Sequence, residues 1–399
     1  MDLFRKDFPL LHAQKELIYL DSAATTQKPA SVIDAISRFY QEQYGTVHRG
    51  VYDLSIEATR LYSEVREKVK RFIGAKSTEE IIFTRGTTAG INLIARSLAR
   101  GFLQKGDEIL LSVAEHHSNL LPWQMIAEEM GVILKFIPIT DEGALDMEAL
   151  THLLNGNVKV VSLPHIFNVL GTINPIKEIA SLAHKMGALL VVDGAQGAPH
   201  LPLNVQDLDA DFYLFSGHKL YGPTGVGVLF GKYSLLERMP PIEGGGDMIS
   251  QVTLKHSTYA APPLRFEAGT PMIAEVIGLG AAIDYLEAIC MEKIAAWENT
   301  LLQHALAHFQ NIQGIKILGT ALPKSGIVSF TIDKVHPLDL ATLLNCKGVA
   351  IRSGHLCSQP TMQRFGITSC ARISFALYNT LSDIDQFFKK LNITLSLLS

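Results

Sequence analysis

The sequence predicts an α/β fold with a mostly parallel sheet covered by helices, followed by a smaller α+β region toward the C-terminus. Three observations favour this class. Short apolar runs alternate with segments of helical periodicity over residues 29–260. The apolar runs are nearly continuous, which is typical of strands buried on both faces of a sheet. The length of 399 residues suggests two domains.

The elements are expected in a regular order. One amphipathic helix follows Pro29 and continues to Tyr40, and a second runs from Tyr62 to Ile73 and ends at Gly74. Strands are expected at IIFT (81–84), EILLSV (108–113), VKVVSL (158–163) and ALLVVD (188–193). Helical segments separate these strands, so they are expected to lie mostly parallel in one sheet.

The segment NPIKEIASLAHKMG (174–187) shows the repeating unit most clearly. It carries one apolar stripe, ends at a glycine and leads directly into ALLVVD, which indicates the second half of a βαβ crossover. After Pro271 we expect a long helical stretch to about Phe309, and then the short strands GIVSFTI, VAIR and RISFA among helices. The expected division is an N-terminal segment at 1–25 that associates with the small domain, a large domain at 26–285 and a small domain at 286–399.

Composition favours small-molecule chemistry inside the cell. The net charge is 35 − 39 = −4, without a basic block that would follow a nucleic acid or an anionic bilayer. The start, MDLFRKDFPLLHAQ, lacks an apolar signal core, and no run of 18 apolar residues occurs, so a cytoplasmic protein is expected. The four cysteines form no CxxC pair, which fits a reducing compartment and free thiols.

A carboxylate and a lysine follow two of the expected strands. Asp193 ends ALLVVD, and Lys219 comes directly after the strand DFYLFS. Ligands of such sheets bind at the carboxyl ends of the strands. Pyridoxal phosphate needs a lysine amine for a Schiff base with its aldehyde and an anion that keeps its ring nitrogen protonated. The alternative for this pair alone is a salt bridge or two solvent-facing charges.

Other strand ends supply further candidate groups. Thr87 and Thr88 in FTRGTTAGIN follow a strand and open a helix, where free backbone amides suit a phosphate. His116 in EHHSN has an imidazole that can cover a cofactor ring and exchange protons; the alternatives are a polar loop or a metal site, and the absence of metal-ligand spacing argues against a metal. Asn168 follows VVSLPHIF and can orient a phenolic oxygen or a carboxylate, or be a turn residue.

The stretch RSGHLCSQP places Cys357 between a glycine and a proline. An isolated cysteine is most often a small buried apolar residue, and a nucleophile is the alternative. Arg352 and His355 lie within a few residues, and positive charge nearby favours the thiolate.

These motifs together resemble the class V aminotransferase family, and most closely its SUF-type cysteine desulfurases, a group that also includes selenocysteine lyases. The resemblance runs nearly end to end, through YLDSAATT, VHRGVY, RGTTAGIN, EHHSNLLPWQ, NVLGTINP, VDGAQGA, SGHKLYGPTG, EGGGDMI, RFEAGTP, RSGHLCSQP and ARISFALYNT. It implies the pyridoxal-phosphate-dependent transferase fold of type I and a homodimer with shared sites. It also implies that L-cysteine is converted to L-alanine and that the sulfur is kept as a persulfide for iron–sulfur cluster assembly.

The resemblance assigns a role to each candidate residue. The catalytic residues would be Lys219, Cys357 and His116. The cofactor would be held by Thr87, Thr88, His116, Asn168, Asp193, Gln196, Ser216, His218 and Lys219, with Thr270 reaching the phosphate of the neighbouring subunit. Substrate contacts would come from Arg372, Asn168, His48, Arg352 and His355, with Arg372 clamping the carboxylate through its planar pair of donors.

Several alternatives stay open at this level. A selenocysteine lyase and an aminotransferase that never uses the thiol share the fold, and a cofactor-binding regulator without turnover is a rival of another class. The resemblance implies a sulfur acceptor of the SufE or SufU type. The chain departs from the family pattern at Leu356, Phe167 and Met272, next to the thiol, Asn168 and the GTP motif respectively.

Overall fold

The structure is a computed structural model that describes residues 2–398. In this part of the chain the α-helices are α1 (Pro9–Ala13), α2 (Ala30–Arg38), α3 (Asp53–Ile73), α4 (Thr87–Gly101), α5 (His117–Met130), α6 (Met147–Leu153), α7 (Ile176–Lys185), α8 (Tyr233–Leu236), α9 (Ile273–Ile289), α10 (Met291–Phe309), α11 (Pro337–Asn345), α12 (Gln359–Arg364) and α13 (Leu381–Leu398). The strands are β1 (Ile18–Tyr19), β2 (Ile81–Thr84), β3 (Glu108–Ser112), β4 (Ile133–Ile137), β5 (Val158–Pro164), β6 (Leu189–Asp193), β7 (Phe212–Ser216), β8 (Gly227–Gly231), β9 (Ile249–Val252), β10 (Ser257–Tyr259), β11 (Ile315–Leu318), β12 (Ile327–Ile332), β13 (Val349–Ala350), β14 (Arg352–Gly354) and β15 (Cys370–Ser374).

The large sheet has the strand order β2-β8-β7-β6-β5-β3-β4. Strands β3 to β7 run parallel to one another. Strand β8 pairs antiparallel with both β2 and β7. The four apolar runs expected from the sequence form β2, β3, β5 and β6 in this sheet. The prediction of a mostly parallel sheet covered by helices is therefore confirmed.

Strand β6 shows why the apolar runs do not alternate with polar residues. Leu190, Val191 and Val192 are all fully buried. Leu190 and Val192 pack into the hydrophobic cluster on one face of the sheet, and Val191 packs into the cluster on the other face. Burying such a side chain stabilises a fold by roughly 1.5–3 kcal/mol, so both faces favour apolar residues.

The two predicted amphipathic helices correspond to α2 and α3. Helix α3 ends where the sequence indicates, because Gly74 adopts φ 69° and its amide donates to carbonyls of the last helical turn. Helix α2 ends at Arg38, and a single π-helical turn at Phe39–Gln43 continues it.

The long helical stretch expected from Pro271 to Phe309 is instead two helices, so that prediction was wrong in its continuity. Helix α9 ends at Ile289 and α10 begins at Met291. Between them Cys290 has φ 86°, in the left-handed region that no residue of a right-handed helix adopts. Helical periodicity does not reveal such a break, because apolar residues continue on both sides of it.

A smaller antiparallel sheet of order β11-β12-β15-β14 forms in the C-terminal part of the chain. The chain near the N-terminus also joins this region, since β1 pairs in parallel with β13, and Asp21 makes a bridge to Ser374 in β15. The domain limits stay a prediction; the limit proposed at residue 285 falls within α9. Among residues 2–398, every helix is too short or too polar to cross a membrane.

Candidate active site

A cavity of about 240 Å³ lies at the carboxyl ends of β5, β6 and β7. Its wall is built by the large sheet on one side and by the region around β14 and β15 on the other. The structure brings most of the sequence-predicted site residues together here: Thr87, Thr88, His116, Asn168, Asp193, Gln196, Ser216, His218, Lys219, Arg352, Cys357 and Arg372.

Asp193 and Lys219 are the charged groups of the large-sheet side; Asp193 is buried and Lys219 is half-buried. Asp193 ends β6, and Lys219 lies in the turn that follows the neighbouring strand β7. Burial lowers the pKa of Lys219 to about 8, although Asp193 partly opposes the shift. Burial also raises the pKa of Asp193, whose Oδ1 accepts a hydrogen bond from the Ala195 amide at 2.9 Å. The two described side chains form no salt bridge, so the purely structural alternative for this pair does not hold.

His116 is held as a neutral ring. It occupies the N-cap of α5, where its Nδ1 accepts a hydrogen bond from the Ser118 amide at 3.0 Å. A ring nitrogen that accepts carries no proton, so in the neutral ring the proton is on Nε2. Burial, together with the nearby charge of Lys219, lowers the pKa of His116 to about 3. The imidazole therefore carries no charge over the neutral pH range.

Hydroxyl groups collect at the start of α4. Gly86 precedes this helix with φ 139°, and a Cβ there would lie 3.3 Å from the Ser216 hydroxyl. Ser216 Oγ accepts from the Thr87 amide at 2.9 Å, and the hydroxyls of Thr88 and Ser118 lie 2.7 Å apart. Together with the free amides of the 15-residue helix, these groups suit a phosphate.

Arg372 supplies the buried positive charge of the small-sheet side. Its Nη1 donates to the Asn168 carbonyl at 2.9 Å and its Nη2 contacts Asp21 Oδ1 at 3.3 Å, while its buried Nε has no partner. Arg352 also faces Asp21, at 3.6 Å. Burial raises the pKa of Asp21 while the two arginines oppose that shift. One carboxylate thus holds two guanidinium groups at the cavity wall, where an anionic group of a substrate can bind.

The Cys357 loop is short and tightly held. Leu356 and Cys357 have φ 54° and 55°, both in the left-handed region. The Cys357 amide donates to His355 Nδ1 at 3.1 Å, and its carbonyl accepts from the His117 amide at 2.8 Å. The buried Ser358 hydroxyl donates to a carbonyl of the β3–α5 turn at 2.7 Å. These bonds leave Cys357 exposed to solvent while it lines the cavity.

Three of the sequence-predicted residues lie outside this cavity. Thr270 lines a neighbouring groove of about 760 Å³, which shares Thr88 with the cavity. His48 is exposed and packs edge-on against Tyr62 at 5.8 Å. His355 is exposed, and its ring Nδ1 accepts a hydrogen bond from the backbone amide of Cys357. Their roles at the neighbouring subunit's phosphate and at the substrate stay predictions.

Two departures from the family pattern and two unpredicted residues also shape the site. Leu356 is buried, and its carbonyl accepts from Asn168 Nδ2 at 2.8 Å, so this amide holds the loop. Phe167 is buried in the core. Sequence reasoning missed Asp21 and Ser118, although both lie within the quoted motifs YLDSAATT and EHHSN. For Ser118 the available signal was a polar residue shortly after the expected strand at 108–113, whereas no strand was expected beside Asp21.

Comparison with known proteins identifies the family. The model of the class V aminotransferases matches residues 18–387. The chain belongs to this family. A probable cysteine desulfurase of Halalkalibacterium halodurans is 49% identical over 98% of this chain and 97% of its own length, and the cysteine desulfurase of Dickeya dadantii is 48% identical over 97% and 94%. The crystal structure of the cysteine desulfurase CsdA from Escherichia coli superposes with a TM-score of 0.93 at 40% identity, covering 100% of this chain and 98% of that one.

Membership of this family brings pyridoxal phosphate as the cofactor, and the cavity fits it. Gln196 Oε1 is a buried polar atom without a partner, as is Arg372 Nε, and both residues line the cavity. Unpaired buried polar atoms of this kind are costly unless a ligand satisfies them. Thr87, Thr88, Ser216 and His218 would hold the phosphate, Asp193 the ring nitrogen, Gln196 the ring hydroxyl and Lys219 the aldehyde.

Proposed function

We propose that this protein converts L-cysteine to L-alanine and keeps the sulfur as a persulfide on Cys357. The observation that carries the proposal is a single cavity lined by a half-buried amine, a buried guanidinium and an exposed thiol, from Lys219, Arg372 and Cys357. An aminotransferase needs the first two groups and has no use for a thiol in a strained, solvent-exposed loop.

We assign substrate binding to Arg372. Asn168 and Asp21 hold its guanidinium group, and its buried Nε–H, which has no partner, is free to donate to a carboxylate. We therefore expect Arg372 to bind the α-carboxylate of a small amino acid, with the rest of the substrate lying toward Lys219 and the thiol.

Proton transfer falls to Lys219. The bound cofactor supplies an electron sink for the pair left when the α-proton is removed. Because burial lowers the pKa of Lys219 to about 8, about a tenth of its free amine is unprotonated at pH 7, against fewer than about one in a thousand at the ordinary lysine pKa, and this fraction can take that proton. His116, neutral with a proton on Nε2, would cover the ring and keep water from it.

Sulfur transfer falls to Cys357. The thiolate forms a bond with the substrate sulfur while the carbon–sulfur bond of the substrate breaks. The electron pair of the broken bond stays on the carbon fragment, which takes up protons and leaves as alanine. Cys357 keeps one additional sulfur atom, and its exposure leaves that sulfur accessible to an acceptor.

The finer biological role rests on the likeness to SUF-type enzymes. We place the protein in iron–sulfur cluster assembly, with a SufE- or SufU-like acceptor and a homodimer in which Thr270 and His48 serve the neighbouring site. Selenocysteine is an additional expected substrate. Thr270 lines a groove with Thr88 and His218 of its own chain, which keeps it near the proposed phosphate site, while its service to the neighbouring subunit rests on the likeness alone.

Mass spectrometry of the protein after incubation with L-cysteine tests the proposal. We expect the peptide that contains Cys357 to gain the mass of one sulfur atom in a reductant-sensitive form. Cys346 is also exposed and serves as the matched control, since its peptide should stay unchanged. Alanine release without any sulfur on Cys357 would contradict the proposal.

A further inference from the structure

Two histidines and an aspartate, none of which lines the cavity, form a cluster on the small domain. His304 and His308 lie one turn apart on α10, so both project from the same face of the helix. Asp385 lies on α13, which packs beside α10. The Nε2 atoms of His304 and His308 lie 2.7 and 3.0 Å from the same atom, Asp385 Oδ1.

The separations are in the range of a metal centre. One ligand atom from each of the three residues lies within 4.8 Å of the others. Metal–nitrogen and metal–oxygen bonds of zinc are about 2.0–2.2 Å, so tetrahedral ligand atoms stand about 3.3 Å apart. The two separations from Asp385 Oδ1, 2.7 and 3.0 Å, would have to widen by about 0.3–0.6 Å to reach this value.

The ring of His308 is also oriented independently of Asp385. It stacks on Phe388, with the ring centroids 4.8 Å apart and the planes 13° from parallel. Phe388 is buried in the core of the small domain, so this surface does not move. Helix α13 thus supplies both a carboxylate ligand and the aromatic surface that aims one imidazole at it. A ligand set that is already oriented loses less entropy on binding.

We propose that His304, His308 and Asp385 bind one divalent transition-metal ion of the zinc class and so join α10 to α13. Two imidazoles favour zinc over magnesium or calcium, which prefer oxygen ligands alone, and one carboxylate is a common additional ligand of zinc. All three side chains are partly exposed, so water can complete the coordination. Imidazole binds a metal only through an unprotonated nitrogen, so binding weakens as the pH falls.

Zinc titration of the holoenzyme tests this site. The protein is purified without a histidine tag, treated with a chelator and titrated with zinc chloride in a calorimeter. We compare the parent with His304→Gln and Asp385→Asn, which change ligands on different helices at the surface. His152→Gln is the matched control, because His152 is an exposed helical histidine beside Glu148.

We expect the parent and the control to bind one more zinc ion per chain than either ligand variant, or to bind it at least tenfold more tightly. The thiols are the same in all four proteins, so binding to cysteine cancels in the comparison. Zinc should raise the Tm of the parent by about 2 °C or more and that of the ligand variants by less. Magnesium chloride should neither bind more tightly to the parent and the control nor raise their Tm. Equal zinc stoichiometry and affinity in the parent and both ligand variants would overturn the proposal and leave the cluster a hydrogen-bonded surface group.

Discussion

The two walls of the active-site cavity are built in opposite ways. The large-sheet wall places Asp193, His116 and Lys219 on or directly after regular elements, and burial shifts the pKa of each. The small-sheet wall presents Cys357 on a short loop with left-handed backbone, exposed to solvent.

The difference between the two walls fits the chemical role that we propose for each. A proton-transferring amine needs a dry environment, because desolvation is what brings its pKa toward neutrality. A thiol that passes sulfur to another protein needs an open environment, and it reaches the cavity by backbone geometry. Changes on the large-sheet wall should therefore impair cofactor chemistry, and changes on the Cys357 loop should spare it.

The largest effect is expected for Lys219→Ala. Removing this amine leaves no covalent partner for the aldehyde and no base at the α-carbon, so alanine release should fall by about 10³-fold or more. The visible absorbance of lysine-bound cofactor should be lost, as dialysis followed by spectroscopy will show. A coloured variant with normal turnover would mean that another lysine serves the cofactor.

Cys357→Ser should separate the two walls. Serine is a poor nucleophile toward sulfur, so alanine release from L-cysteine should fall by roughly 100-fold or more. The cofactor absorbance and its spectral response to L-cysteine should persist, because they depend on residues of the large-sheet wall. Selenocysteine should still be cleaved in part. Alanine release from L-cysteine at the parent rate would return Cys357 to a structural role.

The rate at which cofactor-free protein binds the cofactor through Lys219, measured against pH, tests the burial of this amine directly. The neutral amine of Lys219 attacks the aldehyde, and burial lowers its pKa to about 8. Deprotonation occurs as the pH rises, so the capture rate of cofactor-free protein should increase roughly 20-fold between pH 6.5 and 8.5 and then level off. Stopped-flow absorbance measures it. A small free amine with an ordinary pKa is the control, and its rate should keep rising above pH 9; the same behaviour in the protein would contradict burial of Lys219.

Asp193→Asn should give an intermediate loss. The neutral amide no longer stabilises a protonated ring nitrogen, so kcat should fall tenfold or more, equivalent to about 1.4 kcal/mol of transition-state stabilisation. Cofactor should still bind through Lys219, which absorbance will verify. An unchanged kcat would show that Asp193 does not tune the ring.

The smallest effect is expected for Ser358→Ala, next to the thiol. Its hydroxyl holds the loop against the Glu115 carbonyl at 2.7 Å, and a single hydrogen bond contributes about 0.5–1.5 kcal/mol. Persulfide formation should slow about two- to tenfold, with cofactor absorbance unchanged. Ser353→Ala, on β14 before the loop, is the matched control and should behave like the parent.

The strands and the groups at their ends were predictable because their causes are local. Continuous apolar runs mark strands buried on both faces, and parallel strands bring Asp193 and Lys219 to one edge. The break at Cys290 was not predictable, because apolar periodicity continues through it. The positive φ of Leu356 and Cys357 was hidden for a related reason, since bonds from Asn168 and His117, distant in sequence, hold that backbone.

The fold class, the chemical groups of the site and, through the motifs, the family could be predicted from the amino-acid sequence. Which of those groups share a cavity became known from the folded chain. Asp21 pairs with Arg372 across 351 positions of sequence, and neither residue type indicates the other. Burial is likewise a property of the assembled core, and it is burial that makes Lys219 a usable base and His116 a neutral ring. Local patterns carry no information on such distant contacts, so the pKa values of the site could only follow from the folded chain.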